Sequence, residues 1–211
     1  MYVKESLYLK YSSNQNRLIK NTFITGCIDI KRRRHYAVYQ NLVPDFMSKL
    51  IPRLFRCDAK YIYIADQELS FIELEFLIGH GEVVHLNIEY SDIRNENNGF
   101  VELEKIMALL TNIKWLKLPN IKTTINTGLE LTKLNFNAKI VSIDIHKIHG
   151  EPLNAHEFLK FIIANRNEND FVCGLAFYEK DFNFDFIDKF KDVMKDYQKS
   201  CGNNCPIIYV D

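Results

Sequence analysis

The sequence lacks an excess of charge of either sign. Lysine plus arginine and aspartate plus glutamate number 27 each in 211 residues, so the formal net charge is +0. A neutral chain has no overall field to attract nucleic acid, an anionic membrane or an acidic substrate. The one basic run, at residues 31–35, is interpreted as a solvated turn. A nucleic-acid binder led by Arg32 to Arg34 stays the weakest of three functional hypotheses.

Long apolar runs are also missing. No stretch approaches the roughly 20 residues needed to span a bilayer, and the amino terminus lacks the apolar core of a signal peptide. We therefore expect an intracellular protein, cytoplasmic or nuclear, without a membrane partner.

Cysteine is scarce and its spacing carries no motif. The odd number, five, argues against a disulfide framework and predicts reduced, mostly buried thiols. Cys201 and Cys205 have three residues between them, one too many for a Cys-x-x-Cys redox or zinc pair. The cysteines are Cys27, Cys57, Cys173, Cys201 and Cys205.

No sequence motif indicates a catalytic reaction. His146 and His149 end a strand-like segment and are interpreted as polar residues rather than metal ligands. Asp181, Asp185 and Asp188 precede or open the last helical stretch, where negative charge complements the helix dipole. No Gly-x-Gly-x-x-Gly or Walker loop follows any apolar stretch. The expectation is therefore no catalytic residue, no metal and no cofactor.

What the sequence does contain is a repeat. The pattern apolar-x-x-apolar-x-apolar recurs five times, with an irregular spacing of roughly 24 to 33 residues that is typical of repeat arrays. The segments begin at Ala59, Val83, Ile113, Ile140 and Val172, and Ile208-Tyr-Val210 closes the series.

Helical patterns lie between these strand-like segments. Ser70-x-x-Glu73 is a capping box that predicts a helix over 71–78. Asn154-x-x-Glu157 predicts a helix over 155–164, and 3-and-4 spacing of apolar residues predicts helices over 100–110 and around 186–197. Residues 122–138 are compatible with a short helix or an extra strand.

Strands joined by helices are expected to be parallel neighbours. A doubly wound sheet, with helices on both faces, would have strands that are apolar throughout. Here polar and apolar residues alternate, as in His85, Asn87 and Glu89. The alternation favours an α/β fold of the irregular leucine-rich-repeat type, a solenoid of parallel strands with helices on one face.

Residues 1–57 differ from the array at 58–211. Strands are predicted at 6–11 and 23–30, separated by a turn at 12–16, and a helix at 42–55 with Phe46, Leu50 and Leu54 on one side. This part is interpreted as a cap or as the first repeats of one continuous structural unit.

The repeated segments resemble leucine-rich repeats, with one departure. The position often held by Asn or Cys is here Gln67, Ser91, Ile121, Ile148 and Lys180, so the usual asparagine ladder is missing. Degenerate repeats of this kind are similar to those of nematode F-box-related proteins. That resemblance implies substrate recognition for a ubiquitin ligase, whose adaptor would bind through an amino-terminal F-box that this chain does not display.

The candidate site is the outward side of the strands. Exposed aromatic residues among charges are typical anchors of protein interfaces, although the same rings could serve as structural cover. The predicted protein-binding residues are Tyr61, Tyr63, His85, Asn87, Trp115, Lys117, Asp144 and His146, with Tyr178 as a further candidate. The alternative is a doubly wound, transferase-like enzyme with its site at the carboxyl ends of the strands, near Asp66, Asp92 and Glu151.

Overall fold

The structure, a computed structural model, describes residues 2–8, 22–30, 44–201 and 205–211. In these ranges the chain is an α/β protein with twelve strands and six α-helices. The strands are β1 (Tyr2–Tyr8), β2 (Thr22–Ile30), β3 (Leu54–Cys57), β4 (Tyr61–Ala65), β5 (Glu68–Ser70), β6 (His85–Glu89), β7 (Asp92–Arg94), β8 (Trp115–Leu118), β9 (Ile121–Thr123), β10 (Ser142–Gly150), β11 (Val172–Phe177) and β12 (Ile207–Val210). The helices are α1 (Phe46–Leu50), α2 (Phe71–Ile78), α3 (Leu103–Ala108), α4 (Thr127–Thr132), α5 (Ala155–Asn165) and α6 (Phe184–Ser200).

The main sheet is parallel, and its strands follow one another in chain order. The order is β1-β2-β4-β6-β8-β10-β11-β12, with β3 paired to β2 and β9 paired to β10. A second, two-stranded parallel sheet joins β5 to β7. Consecutive helices from α3 to α6 contact one another. The parallel α/β sheet that the repeat predicts is therefore confirmed.

Alternation along each strand determines which side chains are buried. In β4, Ile62 and Ile64 are buried while Tyr61 is exposed, and β8 repeats the pattern with Leu116 and Leu118. Because successive side chains of a strand point to opposite faces, one face of the sheet is the core and the other carries polar and aromatic residues. The same alternation continues in β6, β10 and β11.

The predicted helix starts are confirmed where a capping side chain was recognised. Ser70 and Glu73 form the reciprocal capping box at α2, and the side chain of Asn154 accepts from the N–H groups of His156 and Glu157 at α5. The undecided segment contains both alternatives, the strand β9 and the helix α4.

Two helix predictions were too long. The helix expected over 100–110 is only Leu103–Ala108. The helix expected over 42–55 is α1 followed by a 3₁₀ turn at Ile51–Arg53, after which Leu54 opens β3. Pro52 lacks the N–H that an α-helix interior requires, which accounts for the break. Residues 42 and 43, the turn at 12–16 and the basic run at 31–35 lie outside the described residues.

A left-handed corner recurs at three places in the main sheet, after β4, after β6 and within β10. Asp66 directly follows β4 and Tyr90 directly follows β6, and both have a positive φ, at 57° and 49°. Lys147, at φ 54°, holds the same conformation within β10, between two register segments. This left-handed turn redirects the chain so that the next residue enters the core.

In leucine-rich repeats, Asn or Cys often occupies the position that follows such a corner. Gln67 and Ser91 are buried there and hydrogen-bonded, whereas Ile121 and Ile148 are buried apolar residues that pair between β9 and β10. A partial polar ladder therefore exists at one end of the stack.

None of the helices in the described ranges combines the length and the apolar character that crossing a membrane requires.

Candidate protein-binding site

The parallel register brings the sequence-predicted residues together on one face. Tyr61, His85 and Trp115 are direct neighbours in one row across β4, β6 and β8. The next row contains Tyr63, Asn87, Lys117 and Asp144. His146 lies two residues beyond Asp144 in β10, on the same side of the sheet. These eight residues are called the outward face below.

Aromatic contacts run across three strands of the outward face. The Tyr63 hydroxyl lies 3.2 Å from Nδ1 of His85, and the two ring centroids are 4.7 Å apart. The His85 ring is stacked against Trp115 with centroids 5.8 Å apart. Trp115 nevertheless keeps 38% of its surface exposed and Tyr61 keeps 44%. The rings therefore pack on one another and still offer apolar surface to solvent.

A charged line runs beside the aromatic row. Lys117 Nζ lies 3.3 Å from Glu89 and 3.3 Å from Asp144, and Asp144 in turn lies 3.1 Å from Nε2 of His146. Burial alone would lower the pKa of Lys117, but hydrogen bonds and Coulomb attraction from Glu89 and Asp144 outweigh it and raise that pKa. Lys117 therefore stays a cation that holds two carboxylates in place.

A pocket opens at the carboxyl end of the outward face. It has a volume of about 380 Å³ and is lined by both apolar and charged groups. Its lining includes Ile88, Glu89 and Lys117 of β6 and β8, and Tyr90 and Pro119, which directly follow these strands. Its position, at the edge where the strands end, continues the surface formed by Lys117 and His146.

A second cluster beyond this edge contains residues that sequence reasoning assigned elsewhere. His149 is stacked on Phe100 with centroids 4.3 Å apart and is 4.6 Å from the Tyr178 ring. The guanidinium of Arg94 lies over the Phe100 ring, 3.9 Å from its centroid. Phe100 was expected to begin a helix, so its role was missed. No local pattern relates it to His149, which follows 49 positions later.

Asp181 belongs to this cluster and not to a helix start. Its Oδ2 lies 3.1 Å from Nδ1 of His149 and accepts the N–H of Gly150. The residue that caps α6 is Asn183, whose side chain accepts from the Phe186 N–H, and only Asp185 lies in the first turn. The assignment of all three aspartates to dipole complementation is therefore wrong for Asp181, which precedes the helix, and for Asp188, which lies beyond the first turn.

The two histidines of β10 face different partners. His146 pairs with Asp144, while His149 contacts Asp181 and, at 3.5 Å, Oδ1 of Asn120. Among the described residues there is no group of three His, Cys, Asp or Glu side chains arranged to hold a metal ion.

The three carboxylates of the alternative enzyme site do not share a contact partner in the described residues. Asp92 pairs with Arg94 at 2.7 Å and accepts from Asn120 at 2.6 Å. Glu151 accepts the N–H of Ile125, and Asp66 occupies a left-handed corner. Each of these residues has a local structural contact or conformation at the carboxyl edge.

No protein-family model, curated protein or solved structure matches the chain.

Proposed function

We propose that the chain is a protein–protein interaction scaffold that binds its partner through the outward face. The observation that supports this proposal is the chain of ring contacts from Tyr63 through His85 to Trp115, whose rings are partly exposed and flanked by charge. Partly exposed aromatic rings surrounded by polar groups supply the apolar anchors and the polar rim of protein interfaces.

The proposal includes a leucine-rich-repeat-like solenoid with its helices on one side. Strands that follow chain order, joined by right-handed crossovers, place successive helices on the same face of a sheet. A small-angle scattering profile tests the shape: a curved slab supports the solenoid, and a sphere-like profile contradicts it.

The narrower proposal is substrate recognition for a ubiquitin ligase. It rests on the resemblance of the repeats to those of F-box-related proteins, in which the repeats hold the substrate. Proximity labelling from cells, using the chain as bait, would identify the partner. Depletion of the chain should then raise the partner's level, and this rise should disappear when the proteasome is inhibited.

Replacement of Trp115 tests the binding face. Trp115→Ala should abolish capture of the partner without lowering the melting temperature appreciably, because the indole is not fully buried. Phe184→Ala is the matched control, since Phe184 is a 73% exposed aromatic residue on α6 and lies off the outward face. If Trp115→Ala unfolds the protein, Trp115 belongs to the core and the proposal fails.

The alternative, a transferase-like enzyme, is favoured by the pocket at the carboxyl ends of β6 and β8. Ligand sites of doubly wound sheets form where the strand order reverses. Across the described strands the order follows the chain without reversal. For that reason the binding scaffold is preferred here.

A further inference from the structure

β12 presents a row of backbone groups at the edge of the main sheet. Within the described ranges it pairs only with β11. The N–H groups of Ile207 and Asp211 donate to the carbonyls of Phe171 and Leu175 at 3.0 and 2.9 Å. Alternate residues of a strand direct their backbone groups to the same side. Ile208 therefore directs its N–H and C=O away from β11, toward the open edge, and Val210 does the same.

The four residues of β12 lack two of the features that discourage pairing with another strand, charge and proline. The sequence of β12 is Ile-Ile-Tyr-Val. Ile207 and Tyr209 are 46% and 60% exposed. Natural edge strands are usually protected by charges, prolines or bulges, because an uncharged edge readily pairs with another strand.

We propose that β12 pairs with β12 of a second copy of the chain, antiparallel about a two-fold axis. With the axis at Tyr209, Ile208 lies opposite Val210 of the second copy, and both free residues of each strand enter hydrogen-bonded pairs. In this antiparallel register Ile208 and Val210 pair with each other in both copies. The strand is therefore complementary to itself.

The side chains agree with this register on both faces. Ile208 and Val210 point to the core side, so each pairs with an apolar, β-branched residue of the second copy. Tyr209 lies on the exposed side and faces Tyr209 of the second copy across the axis. An aromatic pair at a site without cross-strand hydrogen bonds is favourable, since side chains approach most closely there.

The dimer does not depend on the binding function of the outward face, whose residues lie on β4 to β10. A chain that is monomeric but still captures its partner would refute only the dimer. A dimer that captures nothing would refute only the binding face.

Disulfide trapping tests the register. In a background with Cys201→Ser and Cys205→Ser, Tyr209→Cys should form a covalent dimer on mild oxidation, because paired residues at the axis lie within disulfide reach. Ile207→Cys is the control, since residues 207 of the two copies would lie more than about 7 Å apart, beyond that reach. Equal cross-linking of the two variants would overturn the proposed register.

Sedimentation equilibrium tests the association itself. The wild-type chain should sediment at twice 24.9 kDa at tens of micromolar. Tyr209→Lys should be monomeric because it sets like charges opposite each other, whereas Tyr209→Phe should remain dimeric. Circular dichroism checks that both variants fold. A wild-type monomer, or polymers that grow with concentration, would overturn the two-fold dimer.

Discussion

Gln67 and Ser91 are joined at the corner after two neighbouring strands, where the backbone N–H of Gln67 donates to the Ser91 hydroxyl at 3.0 Å. The Gln67 side chain is buried, and its Oε1 accepts the N–H of Met47 at 3.0 Å. The Ser91 hydroxyl donates onward to the Glu89 carbonyl at 2.8 Å. These bonds connect the amino-terminal α1 to the repeated strands through buried polar groups.

Replacing Gln67 should destabilise the protein. Gln67→Leu removes the acceptor for the buried N–H of Met47, and an unpaired buried donor costs about 1–3 kcal/mol. Urea unfolding followed by circular dichroism measures the change. Glu68→Gln is the control, since Glu68 is exposed and its substitution should stay within about 0.5 kcal/mol of wild type. An unchanged midpoint for Gln67→Leu would show that the bond to Met47 contributes nothing.

The capping side chain of Ser70 should contribute measurably to the stability of the protein. Ser70→Ala leaves the N–H of Glu73 without its side-chain acceptor and should cost about 1 kcal/mol of unfolding free energy. Ser70→Thr keeps the hydroxyl at the cap and should recover most of the loss. Chemical denaturation of the three proteins compares them. Equal losses for alanine and threonine would exclude capping as the cause.

The cysteines should differ sharply in reactivity. Burial raises the pKa of Cys57 to about 11 and raises that of Cys173 as well, so neither thiol forms the reactive thiolate near neutral pH. Cys205 is exposed. In a thiol assay at pH 8, Cys205 should react quickly in the native protein, while Cys57 and Cys173 should react only after denaturation. Rapid labelling of Cys173 in the folded state would contradict its burial.

Stability should fall with acidification partly because of His80. Burial lowers the pKa of His80 below its ordinary value, and its Nδ1 accepts the N–H of Glu82 at 3.1 Å. As the pH falls, His80 of the unfolded chain is therefore protonated near pH 6.5, whereas His80 of the folded chain is protonated only at a lower pH. The contribution of His80 is present above about pH 6.5 and is lost as the pH falls through its folded pKa.

Melting temperatures measured from pH 7.5 to pH 5 test this effect. His80→Gln, which does not titrate, should show a shallower decline than wild type. Identical slopes for wild type and His80→Gln would exclude His80 as a contributor.

Local signals in the sequence predicted the parts of the fold that depend on neighbouring residues. The alternation in Leu116, Lys117 and Leu118 reflects the two-residue period of a strand, and Ser70 and Asn154 satisfy free N–H groups of their own helices. Where a local rule was overlooked, the prediction failed. Pro52 ends the helix that apolar spacing alone extended to residue 55.

The cysteines show a limit of inference from composition. Apolar surroundings in the sequence predicted buried thiols, which is correct for Cys57 and Cys173. Cys27 and Cys201 are only half-buried, and the prediction is wrong for Cys205, which is exposed. Cys205 lies just before the edge strand β12, where apolar residues nearby in the sequence do not ensure that a side chain is buried.

The sequence by itself determined the repeated strands of the main sheet, most of the helices and which side chains share a face, because those follow from backbone periodicity and local capping. Only the tertiary structure decided that Lys117 bridges Glu89 and Asp144, and that His149 stacks on Phe100 while Asp181 binds it. Such contacts join residues about 30 or more positions apart, and they depend on how parallel strands stack in register. Stacking register is a property of the assembled sheet, since interstrand hydrogen bonds and shared burial fix it only when all the repeats are in place.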